Sequence, residues 1–231
     1  MLQKRPVVVV NKCRRALYAV TRGNAMKKRI SMLLVLFVLV TVGSFAQSRT
    51  AVQDLNDVLR NGQARLTANG NGSSSGAAVD GFLRNLTTGE LRININIDRG
   101  IYLVNSGNGQ NMIGTRIYLR GGRYSSDGSR YFIVLPPQAN TEVSFVAFCA
   151  NIELANPSSE ESFSIGNMPA DIGTIAAKIN RYLSEHSDDE NRVTVAQIAL
   201  WRTQGKTRSE IERYFRFTQN DWDNASVLLN Y

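Results

Sequence analysis

Hydrophobic and polar residues alternate along four segments between residues 91 and 154, which is the pattern of β-strands. The segments are LRININIDRGIYLV (91–104), TRIYLRG (115–121), RYFIVLP (130–136) and EVSFVAFCANIEL (142–154). Clusters of Gly, Asn, Ser and Pro separate them and predict turns. In the last segment Phe145 and Cys149 share one side while Val146 and Phe148 share the other. Because both sides are apolar, we predict that this strand is central in its sheet.

The hydrophobic period changes to that of helices after Asn156-Pro157. A first predicted helix follows Pro169, and its apolar stripe consists of Ile172, Ile175, Ala176, Ile179, Tyr182 and Leu183. A second helix is predicted over 194–204, before a glycine. Thr207 and Glu210 have the spacing of a capping box that begins a third helix. A short fourth helix is predicted over 221–229.

Strands followed by helices predict an α+β domain. We expect an antiparallel β-sandwich or barrel-like sheet, followed by a C-terminal bundle of three to four helices. Before the strands, residues 47–78 are predicted to form a helix and a flexible linker. Apolar residues three and four apart favour a helix within 50–66, and ANGNGSSSGAA (68–78) has the composition of a linker. The folded domain is therefore expected at 79–231.

Residues 26–46 have the three parts of a secretory signal peptide. Positive charge follows Met26, the run from Ile30 to Gly43 is uncharged, and Ala46 ends a group of small residues suited to cleavage. An uncleaved anchor is the alternative, but the apolar run is shorter than the roughly 20 residues that span a bilayer. Residues 1–25 are interpreted as an upstream extension from a mis-called start. The mature protein is therefore expected to be secreted, periplasmic or at the cell surface.

Removal of this leader changes the charge of the protein. The whole chain carries a formal charge of +8, but nine of its 27 Lys and Arg residues lie in 1–46, where there is no Asp or Glu. The remainder has 18 basic and 19 acidic residues, a net charge of −1. Nucleic acid is therefore not an expected partner, even though AQIALWRTQGKTRSEIERYF resembles a helix-turn-helix. No membrane span is expected after cleavage.

The residue types that usually carry catalysis or bind metals are sparse. His186 is the single histidine and lies at a predicted helix end, where a surface position is the simplest interpretation. The acidic run 188–190 lacks the spacing of a calcium loop and is interpreted as a solvated surface. No pair of carboxylates stands out. We therefore predict no metal, no cofactor and no catalytic residues, and expect a protein that is not an enzyme.

Cys149 becomes the lone cysteine once Cys13 is removed with the leader, so no disulfide within the mature chain is expected. This raises the hypothesis that Cys149 reacts with Gln197, which lies in a predicted helix. A cysteine sulfur held against a glutamine carboxamide can expel ammonia and form an internal thioester. Alternatively, Cys149 is a small buried apolar residue and Gln197 hydrogen-bonds a backbone group.

Several short motifs occur in a recognisable order: Gly100-Ile-Tyr, Gln110-Asn-Met-Ile, FCANIELANP (148–157), AQIALW (196–201) and residues 207–211. In this order the chain resembles, over about residues 90–231, secreted bacterial domains related to the thioester domains of surface adhesins. In those domains a strand cysteine bonds the glutamine of a Thr-Gln-x-Ala motif that is followed by an apolar residue and Trp. The resemblance implies that Cys149 and Gln197 occupy the bonding positions. It also implies that Ala199 and Trp201 support the motif, with Ala196 replacing the usual threonine.

The resemblance implies a secreted, non-enzymatic domain for envelope or surface interactions. If the thioester forms, the partner would be a protein or surface ligand captured through an amine. The alternatives are a small exported hydrolase, whose carboxylates the sequence does not identify, and a purely structural envelope protein.

Overall fold

The computed structural model describes residues 51–170 and 172–231, so the predicted upstream extension (1–25) and signal peptide (26–46) lie outside the described residues. The strands are β1 (Val52–Gln53), β2 (Ala64–Gly70), β3 (Ser75–Asn85), β4 (Leu91–Asn94), β5 (Asn96–Asn105), β6 (Met112–Leu119), β7 (Ser125–Ser126), β8 (Tyr131–Leu135), β9 (Asn140–Cys149) and β10 (Ser162–Gly166). The helices are α1 (Leu55–Arg60), α2 (Ile175–Glu185), α3 (Arg192–Thr203), α4 (Arg208–Glu212) and α5 (Gln219–Leu229).

Six strands close into a barrel in the order β10-β2-β3-β9-β6-β5. Each neighbouring pair is antiparallel. β9 lies between β3 and β6, and its Phe145 stands opposite Val79 on one side and Ile117 on the other. β9 therefore has a partner on each side, as has every strand of this closed barrel, so no strand in it is more central than another.

A second sheet has the strand order β1-β4-β8-β7, in which β1 runs parallel to β4. The segment predicted as one strand at 91–104 is divided between the two sheets, because β4 belongs to this sheet and β5 to the barrel. The side chain of Asn94 accepts a hydrogen bond from the backbone N–H of Asn96 at 3.2 Å. Between them, Ile95 donates its N–H to the carbonyl oxygen of Tyr131 in β8 at 3.1 Å and accepts from the N–H of Ile117 in β6 at 2.8 Å, so this residue links the two sheets.

The helices lie mainly after the strands, and the antiparallel core with C-terminal helices confirms the α+β class. The predicted apolar stripe of α2 is buried, including Ile175, Ile179 and Tyr182. The predicted capping box of Thr207 and Glu210 begins α4, and an unpredicted one of Thr218 and Asp221 begins α5. Among the described residues, no helix is long and apolar enough to cross a membrane.

The predicted flexible linker at 68–78 is wrong. Its residues end β2 and begin β3, two neighbours in the barrel, so the folded domain begins well before residue 79. Glycine serves close packing here: a Cβ on Gly70 would lie 2.7 Å from the carbonyl oxygen of Pro157. Gly76 has a φ of +79°, which side chains other than glycine rarely adopt. The predicted helix within 50–66 is limited to α1, which buries Leu55 and Val58.

Candidate functional site

Cys149 is the last residue of β9 and stands opposite Met112 of β6. Its side chain is fully buried, and its Sγ lies 3.4 Å from the Sδ of Met112. Burial raises the pKa of the Cys149 thiol to about 12. A thiol in such a position is protonated at neutral pH and is shielded from soluble oxidants and metals.

Gln197 lies in the middle of α3 and is also fully buried. Its side-chain Nε2 donates to the carbonyl oxygen of Cys149 at 2.9 Å, and its Oε1 accepts from the Cys149 N–H at 2.9 Å. The Cys149 N–H is shared, because it also donates to the carbonyl oxygen of Ser74 at 3.1 Å. The structure therefore brings the two predicted residues together, with the carboxamide held on the same residue that carries the sulfur.

The position of Gln197 follows from the burial of α3. Every residue from Val195 to Trp201 is buried, so a polar side chain among them needs an internal partner. The end of a strand supplies one, since beyond its last residue a strand has no ladder partner. Gln204 lies two turns further along the same side of the helix, and its Nε2 donates to the carbonyl oxygen of Ala150 at 2.8 Å. Gln204 was not among the predicted site residues, although its spacing of seven residues from Gln197 places the two glutamines on the same side of a helix.

The chain after Cys149 is held by residues at the beginning of β6. The carbonyl oxygen of Asn111 accepts from the N–H of Ala150 at 2.8 Å, and the N–H of Asn111 donates to the Asn151 side chain at 3.1 Å. Gln110 donates from its side chain to the carbonyl oxygen of Leu154 at 2.7 Å. The motif segments at 110–113, 148–157 and 196–201 therefore meet around Cys149.

Ala199 and Trp201, the predicted supporting residues, are both buried in α3. The Trp201 ring packs edge-on against Phe215, with centroids 5.4 Å apart and an interplanar angle of 83°. Together with the small Ala196 and Ala199, this aromatic contact allows the helix to lie close to the rest of the core.

The chain matches no family model, no curated protein and no solved structure.

The other sequence candidates lie in ordinary structural positions. His186 is the C-cap residue of α2, stacks on Tyr182 at 4.2 Å and lies 3.0 Å from the hydroxyl of Tyr231. In the acidic run at 188–190, the Asp189 carboxylate accepts from the N–H of Asn191 at 2.8 Å. Within 51–170 and 172–231, no group of three or more His, Cys, Asp or Glu residues is arranged to hold a metal ion.

The arrangement at Cys149 contains the components of an acyl transfer. The buried carboxamide of Gln197 is held on the backbone of the residue that carries the thiol, and the Cys149 N–H donates to the carboxamide oxygen. A donor in this position would stabilise the negative charge that develops on Oε1 if a nucleophile adds to the carboxamide carbon. The same two hydrogen bonds also pair both polar atoms of Gln197, which is what a purely structural clamp requires.

Proposed function

We propose that this chain is a secreted, non-enzymatic interaction domain of the envelope or cell surface, in which Cys149 and Gln197 form an internal thioester. The thioester would capture an amine on a protein or surface ligand. The observation that carries this proposal is the pair of hydrogen bonds by which the buried Gln197 carboxamide is held on Cys149. Both bonds are made to the backbone of Cys149, so they fix the carboxamide on the residue that bears the thiol.

The proposed formation of the thioester needs no reactant other than the two side chains. The Cys149 Sγ adds to the Gln197 Cδ, and the negative charge on Oε1 is stabilised by the Cys149 N–H. The Sγ proton moves to Nε2, the Cδ–Nε2 bond breaks, and ammonia leaves. A bond between Sγ and Cδ remains. An incoming amine then adds to Cδ and forms an amide, while the proton of the amine returns to Sγ and regenerates the thiol.

Burial makes the bond both slow to form and slow to hydrolyse. With a pKa of about 12, roughly one Cys149 thiol in 10⁵ is ionised at pH 7, so the proton must leave together with the attack. Both reacting side chains are fully buried, which keeps water away from the product. Capture of an amine therefore requires that the partner, or a local opening of α3, uncovers the site.

The test is the intact mass of the mature protein, residues 47–231. A thioester lowers the mass by about 17 Da, one ammonia, and methylamine then adds about 31 Da and releases a titratable thiol. Cys149→Ala is expected to show neither change. Gln204→Ala is the matched control, because it removes the neighbouring glutamine contact to Ala150 and leaves both reacting groups in place. It is expected to retain the loss of mass.

An unshifted mass with a free thiol in the folded protein would reject the thioester and leave Gln197 as a structural clamp. An enzyme would behave differently from either, since turnover by an exported hydrolase would persist in Cys149→Ala. The mass measurement and a turnover assay on the same two variants therefore separate the three functions.

A further inference from the structure

A polar groove lies where the second sheet meets the start of the described chain. Its volume is about 440 Å³, within the range of small-molecule sites. Its walls come from β1, from the junction of β4 and β5, and from the turn that joins β7 to β8. The groove is formed by segments that are distant in sequence, and none of its lining residues belongs to the Cys149 site.

The groove presents hydrogen-bonding side chains rather than an apolar surface. Its uncharged polar side chains are those of Gln53, Asn94, Asn96 and Ser129. The Oδ1 of Asn96 is buried and has no hydrogen-bond partner among the described residues. A buried amide oxygen without a partner costs about 1–3 kcal/mol, which the Asn96 side chain would recover if it turned into the groove and accepted from a ligand hydroxyl.

The charges in the groove disfavour an anionic ligand. Asp54 and Asp98 contribute two carboxylates, and Arg130 contributes one positive charge. Burial, and secondarily the charge of Asp54, raises the pKa of Asp98. Asp54 also accepts from the N–H of Asn56 as the N-cap of α1, so one of its oxygens is already used. The groove therefore offers acceptors and a guanidinium to an uncharged ligand rich in hydroxyl groups.

A strip of tyrosines continues from the groove across the outer surface. Tyr131 lines the groove and contacts Tyr124 at 5.2 Å, and Tyr124 contacts Tyr118 at 6.0 Å, measured between ring centroids. Tyr124 and Tyr131 are 51% and 54% exposed, so these rings are not part of the core. The turn beside them is held in shape by the Asp127 carboxylate, which accepts from the N–H groups of Ser129 and Arg130 at 2.9 and 2.8 Å.

We propose that the groove and the tyrosine strip bind a neutral oligosaccharide. A sugar ring has an apolar face that stacks on an aromatic side chain and an edge of hydroxyl groups that pair with amide and carboxylate oxygens. The groove supplies the polar partners at one end, and the strip supplies successive aromatic contacts beyond it. A chain of sugars fits this arrangement better than a single sugar does. The inference is independent of the thioester, since the two sites share no residue.

The test is calorimetric titration of the mature protein with soluble neutral hexasaccharides of glucose, N-acetylglucosamine, mannose and xylose. We expect at least one of them to bind with a Kd between micromolar and millimolar. Tyr131→Ala and Asn96→Ala should each weaken that binding tenfold or more. Tyr214→Ala is the matched control, because Tyr214 is 57% exposed and does not line the groove, and it should bind as the unmodified protein does.

Two results would overturn the inference. One is that none of the four hexasaccharides binds to the folded protein. The other is that binding occurs but is unchanged in both Tyr131→Ala and Tyr124→Ala, which alter exposed rings and should not affect folding. Cys149→Ala is expected to bind sugar normally, so failure of the thioester and failure of the sugar site give different results.

Discussion

The side chains of Gln197 at the Cys149 site and of Asn96 in the polar groove differ in whether their buried polar atoms have hydrogen-bond partners. At Cys149, both polar atoms of the Gln197 side chain are paired with protein atoms and fully buried. In the groove, a buried oxygen of Asn96 is unpaired and the neighbouring tyrosines are half exposed. A side chain whose polar atoms are all paired contributes to stability or reacts internally, whereas half-exposed side chains beside a groove can still contact a partner.

Substitutions should therefore have different consequences in the two regions. Changes at the Cys149 site are expected to alter the free energy of unfolding, because they leave buried groups unpaired or create cavities. Changes in the tyrosine strip are expected to alter binding, with little effect on folding. Four measurements test this contrast.

Gln197→Ala is expected to give the largest effect, a loss of about 4 kcal/mol in the free energy of unfolding. It removes both hydrogen bonds to Cys149, leaves the Cys149 carbonyl without the Gln197 donor and creates a cavity under α3. Urea denaturation at pH 7 measures it. Gln197→Met fills the space without pairing the backbone and should cost about 2 kcal/mol. A loss below about 1 kcal/mol in both variants would contradict a tightly clamped site.

When the Cys149 thiol is free, the free energy of unfolding of the protein is expected to fall by about 3 kcal/mol between pH 9 and 11. Burial raises the pKa of Cys149 from 9.0 to about 12, so the folded state keeps a proton that the unfolded state releases above pH 9. The stabilisation is complete below pH 9 and is lost as the pH rises to 12, at about 1.4 kcal/mol per pH unit.

This loss is measured by urea denaturation of the single variant Gln197→Met, in which no thioester can form. The reference is the double variant that carries both Gln197→Met and Cys149→Ala and therefore lacks the thiol. The comparison cancels other groups that titrate in this range, including Tyr182, whose pKa burial raises to about 12. If the free energy of unfolding of the two variants falls equally with rising pH, Cys149 is accessible to solvent. In the unmodified protein, a thioester would abolish the cysteine contribution.

Gln204→Ala should cost about 1 kcal/mol, because it removes a single bond to the Ala150 carbonyl, and Gln204 is only half-buried. Thermal unfolding followed by circular dichroism measures this change. Together with Gln197→Ala, this variant shows whether α3 is held mainly at Cys149 or evenly along its length. An effect as large as that of Gln197→Ala would favour the even distribution.

Tyr131→Ala should change the free energy of unfolding by less than about 0.5 kcal/mol, because the side chain is largely in solvent. Its backbone carbonyl still accepts from the N–H of Ile95, so β8 keeps its register. Chemical denaturation of this variant provides the measurement. A loss above about 2 kcal/mol would mean that the tyrosine strip is a structural element and not a free surface.

The sequence predicted the elements whose patterns are local and strong. The apolar pattern around Phe145 identified a strand with a partner on each side, and the spacing of Thr207 and Glu210 identified a helix start. The segment at 68–78 was misjudged because Gly and Ser usually indicate flexibility, whereas here Gly70 is required by the close approach of another chain segment. That approach depends on residues near 157, and no local pattern contains this information.

The two sites differed in how far they could be predicted. Cys149 and Gln197 were selected by chemistry and by the resemblance, and the structure places them in contact. Met112 and Gln204, which also contact this site, were not predicted, although Met112 lies in one of the motifs and Gln204 follows Gln197 by seven residues. The groove was missed entirely, since Gln53 was placed in a predicted helix, Asn96 in a predicted strand and Ser129 in a turn, and only the fold brings them together.

Closure of the barrel has a consequence for the behaviour of the protein at high concentration. Each of its six strands pairs on both sides, so within residues 51–170 and 172–231 sheet edges remain only at β1 and β7, which are two residues long each. Long unpaired edges are the usual template for association of one sheet with another. With such short edges, many copies of this domain can be packed at high concentration without joining into intermolecular sheets.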